Sequence, residues 1–450
     1  MNKANFFHSV TLDRDKCHGC INCVKRCPTE AIRVREGKAR IIKERCIDCG
    51  ECIRVCPHHA KQAIFDPLSV MDTYKYKVAL PAPALYGQFN HLDDIDVVLT
   101  GLLEMGFDQV FEVSRAAEIV SDATRRILAD GSVKKPVISS ACPAVVRLIR
   151  VRFPDLCEHV LPLKAPMEVA AMLAREEAVK QTGFAPEEIG VFFLSPCAAK
   201  VTDVRVPIGI ERSNVDGVLA ISDIYPRLLA RMNHLDQVQP LSRSGIIGVS
   251  WSSIGGEAAG LLNENHLAAD GIDNVIKVLE ELEDEKLQEL DFIELNACAG
   301  GCVGGIFTAE NGYVARARIQ RLRKYLPVSC NRLEDAGSPQ RLEWTEKLEF
   351  APVMKLAENV EDAMRLMQEI DRIGARLPGL DCGSCGAPTC RALAEDVVRG
   401  LARETDCIFL MRRQIQQIAA QLCKIDGLSP PGTADIPASG TGAGEGGEEP

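Results

Sequence analysis

The 450-residue sequence predicts an α/β core of parallel sheets with flanking helices, set between a small α+β module and a mostly helical C-terminal domain. Three observations carry that prediction. Eight of nineteen cysteines fall in two near-identical runs within the first sixty residues. From about residue 76 to 345, short apolar runs alternate with amphipathic segments, the texture of parallel strands covered by helices. After Pro378-Gly379 a further cysteine cluster begins at Cys382.

The bulk numbers set bounds on this. A chain of this length holds two to four domains, and 46% hydrophobic with 26% charged residues gives it ample core. A net charge of −11 argues against nucleic acid or an acidic membrane surface as partner. Residues 1–11 lack a basic segment followed by a long apolar run, so no signal peptide is expected. No apolar stretch approaches the roughly 18–20 residues that span a bilayer. Nineteen cysteines in such a chain read as metal ligands rather than disulfides, so a reducing cytoplasm is the expected compartment.

Cys17-x-x-Cys20-x-x-Cys23-x-x-x-Cys27-Pro28 is answered by Cys46-x-x-Cys49-x-x-Cys52-x-x-x-Cys56-Pro57, an internal repeat of 29 residues. This is the spacing of bacterial two-cluster ferredoxins, in which a compact loop gives three thiolates to one cubane and the Cys-Pro corner sends the fourth to the other. Cys17, Cys20, Cys23 and Cys56 are therefore expected to hold one [4Fe–4S] cluster, and Cys46, Cys49, Cys52 and Cys27 the second. Tetrahedral zinc would need paired C-x-x-C units rather than triplets followed by Cys-Pro. Residues 1–75 form a ferredoxin-like module that moves electrons. His18, His58 and His59 abut its loops without metal-site spacing of their own.

Residues 76–345 form the central domain. It opens on a buried strand at Tyr76 to Pro83, and further strands are expected at Gln109–Val113, Pro136–Ser139, Ile189–Leu194, Gly217–Ile221 and Phe292–Leu295. Helices are expected at Ala116–Ala129, Ala165–Val179, Ser222–Met232 and Val275–Leu290. Strand C-terminal ends face ligand crevices in such folds, and Cys142, Cys197 and Cys298 each follow an apolar strand. Residues 346–427 form a linker helix over Ala351–Arg376 and a C-terminal cluster domain. The helix's apolar stripe (Val353, Leu356, Val360, Met364, Met367, Ile370) reads as core packing. Residues 428–450, rich in Pro, Gly, Ser and Glu, read as a disordered tail.

Three central contexts stand out: Ser139-Ser-Ala-Cys142-Pro143, Ser195-Pro-Cys197-Ala-Ala-Lys200 and Glu294-Leu-Asn-Ala-Cys298-Ala-Gly-Gly-Cys302. Taken alone they are separated thiols at strand ends, open to a buried structural reading as well as a ligand one. In order and spacing they resemble the catalytic domain of the [FeFe]-hydrogenases, whose signatures have the forms T-S-C-C-P-x-W, M-P-C-x-x-K and E-x-M-x-C-x-x-G-C-x-x-G-G. The resemblance covers roughly residues 78–330. It implies that Cys142, Cys197, Cys298 and Cys302 hold one [4Fe–4S] cubane, with Cys302 bridging to a di-iron subsite. It also implies that Lys200 donates a charge-assisted hydrogen bond to a cyanide of that subsite. A surface lysine is the alternative reading of Lys200.

The sequence departs from the family pattern at several positions. The proton-relay cysteine is Ala141, two methionines are Ser195 and Asn296, and the acidic residue after the lysine is Asp203. Val303-Gly-Gly-Ile306 replaces the longer glycine run, and Ala144-Val-Val146 stands where an aromatic residue is usual. These changes resemble divergent, sensory-type branches of the family and leave the di-iron subsite open.

Cys382-x-x-Cys385-x4-Cys390-x16-Cys407 is the fourth set, with a helical period over Thr389–Glu404 to return the chain to the cluster. It resembles the small iron–sulfur domain of corrinoid iron–sulfur proteins and Rnf-type subunits; zinc is the competing reading, since C-x2-C also suits it. Cys157, Cys330 and Cys423 are expected to be non-ligands. The expected cofactors are thus two N-terminal, one central and one C-terminal [4Fe–4S] cluster, with a di-iron subsite as an addition. The expected function is electron transfer with slow H2 oxidation or H2/redox sensing, exchanging electrons with a ferredoxin or another carrier. The alternative is a non-catalytic electron-transfer or signalling subunit without the di-iron subsite.

Overall fold

Paired short strands and tight turns build the N-terminal module in the computed structural model, which describes residues 7–426, with side chains as far as residue 422. Strand β1 (Val10–Leu12) pairs antiparallel with β4 (Lys61–Ala63), and β2 (Ile32–Arg35) with β3 (Lys38–Ile41). Glu36 and Gly37 both take positive φ, 54° and 71°, as a tight two-residue hairpin requires. Short helices over Asn22–Lys25 and Glu51–Arg54 carry Cys23 and Cys52.

The central domain holds two parallel sheets. Strands β5 (Tyr76–Pro81), β6 (Gln109–Val110), β8 (Ile189–Ser195) and β9 (Gly217–Ala220) form one, in the order β6-β5-β8-β9. Strands β7 (Val137–Ile138), β10 (His266–Asp270) and β11 (Phe292–Asn296) form the other, in the order β10-β11-β7. Alternate side chains of β8 serve opposite faces. Val191 and Phe193 pack with Ile119, Val120 and Met167, whereas Phe192 and Leu194 pack with Leu85, Leu99 and Leu228. Both faces are covered, so the strand reads as a continuous apolar run. On the second sheet, Ile138, Ile293 and Leu295 pack with Val145, Leu148, Val275 and Leu279. The α/β class stands as expected.

Several boundaries differ. The strand expected over Gln109–Val113 stops at Val110, because Val113 already begins the helix Val113–Asp130. The acidic helix ends at Glu283, where Asp284 and the left-handed Glu285 (φ 60°) turn the chain. The linker helix starts only at Val360, capped by Asn359, whose side chain accepts from the Asp362 N–H. Core packing does not explain its stripe: Val360 and Met364 are 77% and 60% exposed, and only Ile370 and Ile373 are buried.

The chain divides into two compact units, one through Glu358 and one from Asn359. In the second, the helix over Thr389–Glu404 is shorter than its period implies. It runs from Cys390 to Val398 and ends before the left-handed Gly400 (φ 71°). A further helix, Ile408–Asp426, follows. The tail over 428–450 and the side chain of Cys423 lie outside the described residues.

Candidate metal centre

Eight cysteines of the N-terminal module converge as two crossed groups. Burial raises the Cys23 thiol to about 11, and the neighbours that add to this are Cys20, Cys56 and Cys17. Burial likewise raises Cys52 to about 12 and Cys46 and Cys49 well above the ordinary thiol range, each with Cys27 among its neighbours. The Cys-Pro corners therefore reach across, Cys56 to the first triplet and Cys27 to the second. The repeat shows again in the hydrogen bonds. Ala31 N–H donates to Cys27 Sγ at 3.2 Å and Ala60 N–H to Cys56 Sγ at 3.3 Å. Burial works against ionisation of Cys56, yet the N–H groups of Lys61, Ala60 and His58 hold its pKa below the usual value. Buried thiols that oppose one another's ionisation fit a cationic core that takes up their charge. His18 and His58 face each other with ring centroids 4.3 Å apart.

The central site lies where strands of the two sheets end. Cys142 caps the helix Pro143–Arg152 after β7, and Cys197 caps the helix Ala198–Arg205 after β8. Both present a thiol at a positive helix end. Cys298 follows β11, and Cys302 opens the next turn. With Lys200 they line a cavity of about 100 Å³ whose other walls include Ala141, Pro166, Met167, Phe193 and Trp251. Burial raises Cys142, Cys197 (to about 12) and Cys302, the other central thiols add to it, and Lys200 opposes it. Cys302 is exposed and lines the cavity. Gly301 takes φ +90°, and a Cβ there would lie 2.5 Å from the Ile254 nitrogen, so the Cys298–Cys302 turn demands glycine. Four converging thiols, a cation and close backbone fit an anionic cubane.

Lys200 is not a surface lysine. Its side chain is 12% exposed and lies 3.3 Å from Asp203, which Arg147 also approaches at 3.8 Å. Ser195 caps the ligand turn: its Oγ accepts from the Cys197 N–H at 3.1 Å. Asn296 lines the cavity and donates to Glu294 at 3.0 Å.

Two site residues had no role assigned from the sequence. Glu257 and Glu294 are buried neighbours on the cavity wall. Glu294 accepts from the N–H groups of Gly255 and Ala258 at 3.0 and 2.9 Å, and Ser139 Oγ donates to Glu257 at 2.7 Å. Burial raises Glu294 to about 7, and burial with the Glu294 charge raises Glu257 well above the carboxylate range. Each carboxylate thus makes the other harder to ionise. Glu294 belongs to the third cysteine motif and was within reach of the sequence; Glu257 was not.

Arg54 joins the ferredoxin-like module to the central site. Its guanidinium donates to the Gly304 carbonyl at 2.5 Å and to Glu51 at 2.8 Å. Burial disfavours its charge, but Cys298 and Glu51 outweigh that and hold it protonated. Beside it, Gly50 (φ +82°) packs so closely that a Cβ would lie 2.6 Å from Ile306.

In the second unit Cys382, Cys385, Cys390 and Cys407 line one small pocket with Pro378, Gly383 and Leu393. Thr389 caps the helix that begins at Cys390, accepting from Ala392 N–H at 3.0 Å, and Asp381 accepts from the Cys390 N–H at 2.6 Å. Cys407 is buried at the start of the last helix. Cys157 is partly buried and Cys330 exposed, and neither joins a cysteine group. Among the described residues no helix is long and apolar enough to cross a membrane.

Comparison with known proteins places these sites in context. Residues 9–57 match the family described as 4Fe-4S dicluster domain and residues 377–409 one described as putative Fe-S cluster. The chain is 24% identical over 377 residues to NADP-reducing hydrogenase subunit HndD of Solidesulfovibrio fructosivorans, covering 72% of this chain and 60% of that protein. It is 23% identical over 342 residues to human nuclear prelamin A recognition factor, covering 61% of this chain and 75% of that one. It thus spans less than two thirds of HndD's length. A solved [FeFe]-hydrogenase HydA1 from Chlamydomonas reinhardtii aligns with a TM-score of 0.47 at 16% identity, over 59% of this chain and 88% of its own. Residues 75–263 and 257–306, together just over half of the chain, match the family described as iron only hydrogenase large subunit, C-terminal domain. With its cysteines gathered at the strand ends that this domain provides, the chain belongs to the iron-only hydrogenase family.

Proposed function

We propose that this hydrogenase-like iron–sulfur protein oxidises or senses H2 slowly and relays the electrons through four [4Fe–4S] clusters. The observation that carries the reading is the convergence of Cys142, Cys197, Cys298, Cys302 and Lys200 on one mostly apolar cavity. Cys142, Cys197, Cys298 and Cys302 would hold a cubane that supplies one-electron transfer, and a di-iron unit, if bound beside Cys302, would supply H2 chemistry.

The chain's own residues divide the work around that site. Cys142 and Cys197 present thiolates at helix N-termini, where the backbone dipole favours negative charge. Lys200, positioned by Asp203, points an ammonium at the cavity and supports anionic groups there. Met167, Phe193 and Trp251 keep bulk water from it. Ala141 puts a methyl group on the wall where the family places a thiol, so no side chain there carries a proton outward. Arg54 and Gly50 bring the second N-terminal cysteine group against the central turn. A short path for electrons follows, ending at a ferredoxin or another soluble carrier.

The methyl of Ala141 also favours a second reading, a relay subunit with the central cubane and no di-iron unit. Infrared spectroscopy of anaerobically matured protein separates the two. Carbonyl and cyanide bands that disappear in Cys302→Ala support the first; their absence from matured wild-type protein supports the second.

A further inference from the structure

The 29-residue repeat sets Ala31-Ile32 against Ala60-Lys61. Ile32 opens β2 and Lys61 opens β4, and both are 2% exposed. One half thus buries a lysine where the other buries an isoleucine. Lys61 Nζ has no hydrogen-bond partner among the described residues. An ammonium buried without a partner is costly unless an anion shares its surroundings. The residue before it, Ala60, donates its N–H to Cys56 Sγ at 3.3 Å, and the Lys61 charge acts on cysteines of both crossed sets and on the partly buried His8. Burial raises Cys23 and Cys52, and Lys61 is the largest influence opposing it; it also lowers Cys56.

We infer that Lys61 is a redox-tuning residue whose buried positive charge raises the reduction potentials of the clusters held by the two N-terminal cysteine groups. This rests on reading those groups as [4Fe–4S] sites. Each reduction adds one electron from an external donor, breaks no bond and takes no proton from Lys61. A nearby cation stabilises the extra negative charge, so both clusters accept electrons from the central site more readily.

The test is a mediated dithionite titration of the full-length, anaerobically assembled protein, followed by paramagnetic resonance. Lys61→Met keeps the stem and removes the charge, Lys61→Ile installs the residue of the other half, and Lys61→Arg keeps the charge. The neutral variants are expected to lose about tenfold in the reduction equilibrium of at least one N-terminal cluster, about 59 mV for one electron, while Lys61→Arg stays near wild type. Unchanged potentials in an iron-replete Lys61→Met overturn the inference. So does loss of iron from both neutral variants alike, which marks a packing role. Wild-type protein short of about eight irons overturns the ligand reading itself, and this inference with it.

An independent observation concerns the last helix, Ile408–Asp426. Ile408, Met411, Ile415, Ile418 and Leu422 follow one another at alternating spacings of three and four, and each is 43–58% exposed. Phe409, 40% exposed, widens the stripe in the first turn; beyond it the stripe has the period of a coiled-coil seam, narrower than a face that packs on a core. The rows beside it, Arg412, Ala419 and Asp426 on one side and Gln414 with Gln421 on the other, hold one charge of each sign, so like charges are not stacked along the seam of two identical helices. Residues 427–450 contain only Leu428 and Ile436 as large apolar side chains, too few to cover the seam. Two copies would bury on the order of 1,000 Å², the low end of specific association.

We propose that this helix pairs with the same helix of a second copy, which brings two Cys407-containing cluster sites to one interface. Anaerobic sedimentation of the full chain over a concentration series should show a dimer in reversible exchange with monomer. Ile415→Glu with Ile418→Glu should weaken it at least tenfold, and Arg413→Glu with Gln416→Glu, off the seam, should leave it dimeric. A monomer at every concentration up to about 100 μM, well above the range of specific complexes, overturns the proposal, as does a dimer indifferent to the seam variants.

Discussion

Ala141 is the residue whose replacement tests the proposed H2 chemistry most directly. Its methyl lines the cavity beside Cys142, and its own N–H donates to Ser139 Oγ at 3.2 Å. Replacing it with cysteine puts a titratable group on the cavity wall at small steric cost. Since a positioned acid or base contributes about 10²–10⁴-fold, H2-dependent dye reduction should rise at least tenfold in Ala141→Cys. No rise in protein that shows the di-iron infrared bands would mean that proton exit is limited elsewhere. Glu257 and Glu294 give a second test at this scale. Their folded pKa values lie above the ordinary carboxylate value near 4.5, Glu294 reaching about 7. Raised values mean that their contribution to stability is fully present below about pH 4.5 and is lost as pH climbs through 7. The melting temperature should therefore fall between about pH 5 and 8. Glu257→Gln, which removes the neighbouring charge, should flatten that fall. A wild-type profile already flat over the same range would contradict the buried pair.

At the scale of elements, what the sequence makes legible is whatever local chemistry dictates. The ligand loops were readable because cubane geometry permits few spacings, and β5, β8 and β11 because burial on both faces leaves unbroken apolar runs such as Val191-Phe-Phe-Leu194. Strand β10 (His-Leu-Ala-Ala-Asp) and the helix Pro143–Arg152 were not, since their places are set by β11 and the second sheet rather than by composition. The stripe of the helix Val360–Gly374 misled for the converse reason: periodicity gives a face but not its partner. Glu257 was invisible because a carboxylate's burial is a tertiary fact. The turn after Cys302 supplies an element-scale prediction. A Cβ on Gly305 would lie 2.1 Å from the Pro196 carbonyl oxygen. Gly305→Ala should cost about 1–3 kcal/mol by overpacking and reduce occupancy of the central site, read as lower iron content beside a lowered melting temperature. Full iron and wild-type stability would show that the Cys197 and Cys302 turns are not held in register by this contact.

At the scale of the whole molecule, the proposed relay rests on the repeat of eight cysteines and the four central thiols, which share one compact unit, and on the set around Cys390 in the other. Arg54 ties the first of these groups to the second. Arg54→Met should lower electron transfer between the N-terminal clusters and the central site while leaving the cluster count intact, because it removes the bond to Gly304 but no ligand. Freeze-quench paramagnetic resonance after reduction would show that delay, and equal rates in both proteins would contradict it. Electron relay presupposes that the sixteen cysteines hold iron. Iron and acid-labile sulfide analysis of the full chain, purified without air from a host with cluster-assembly machinery, tests this most directly. About sixteen irons and sixteen sulfides per chain are predicted, at four of each per cubane, with two further irons if the di-iron unit is present. Zinc in their place, or a colourless protein with little iron, would contradict the account.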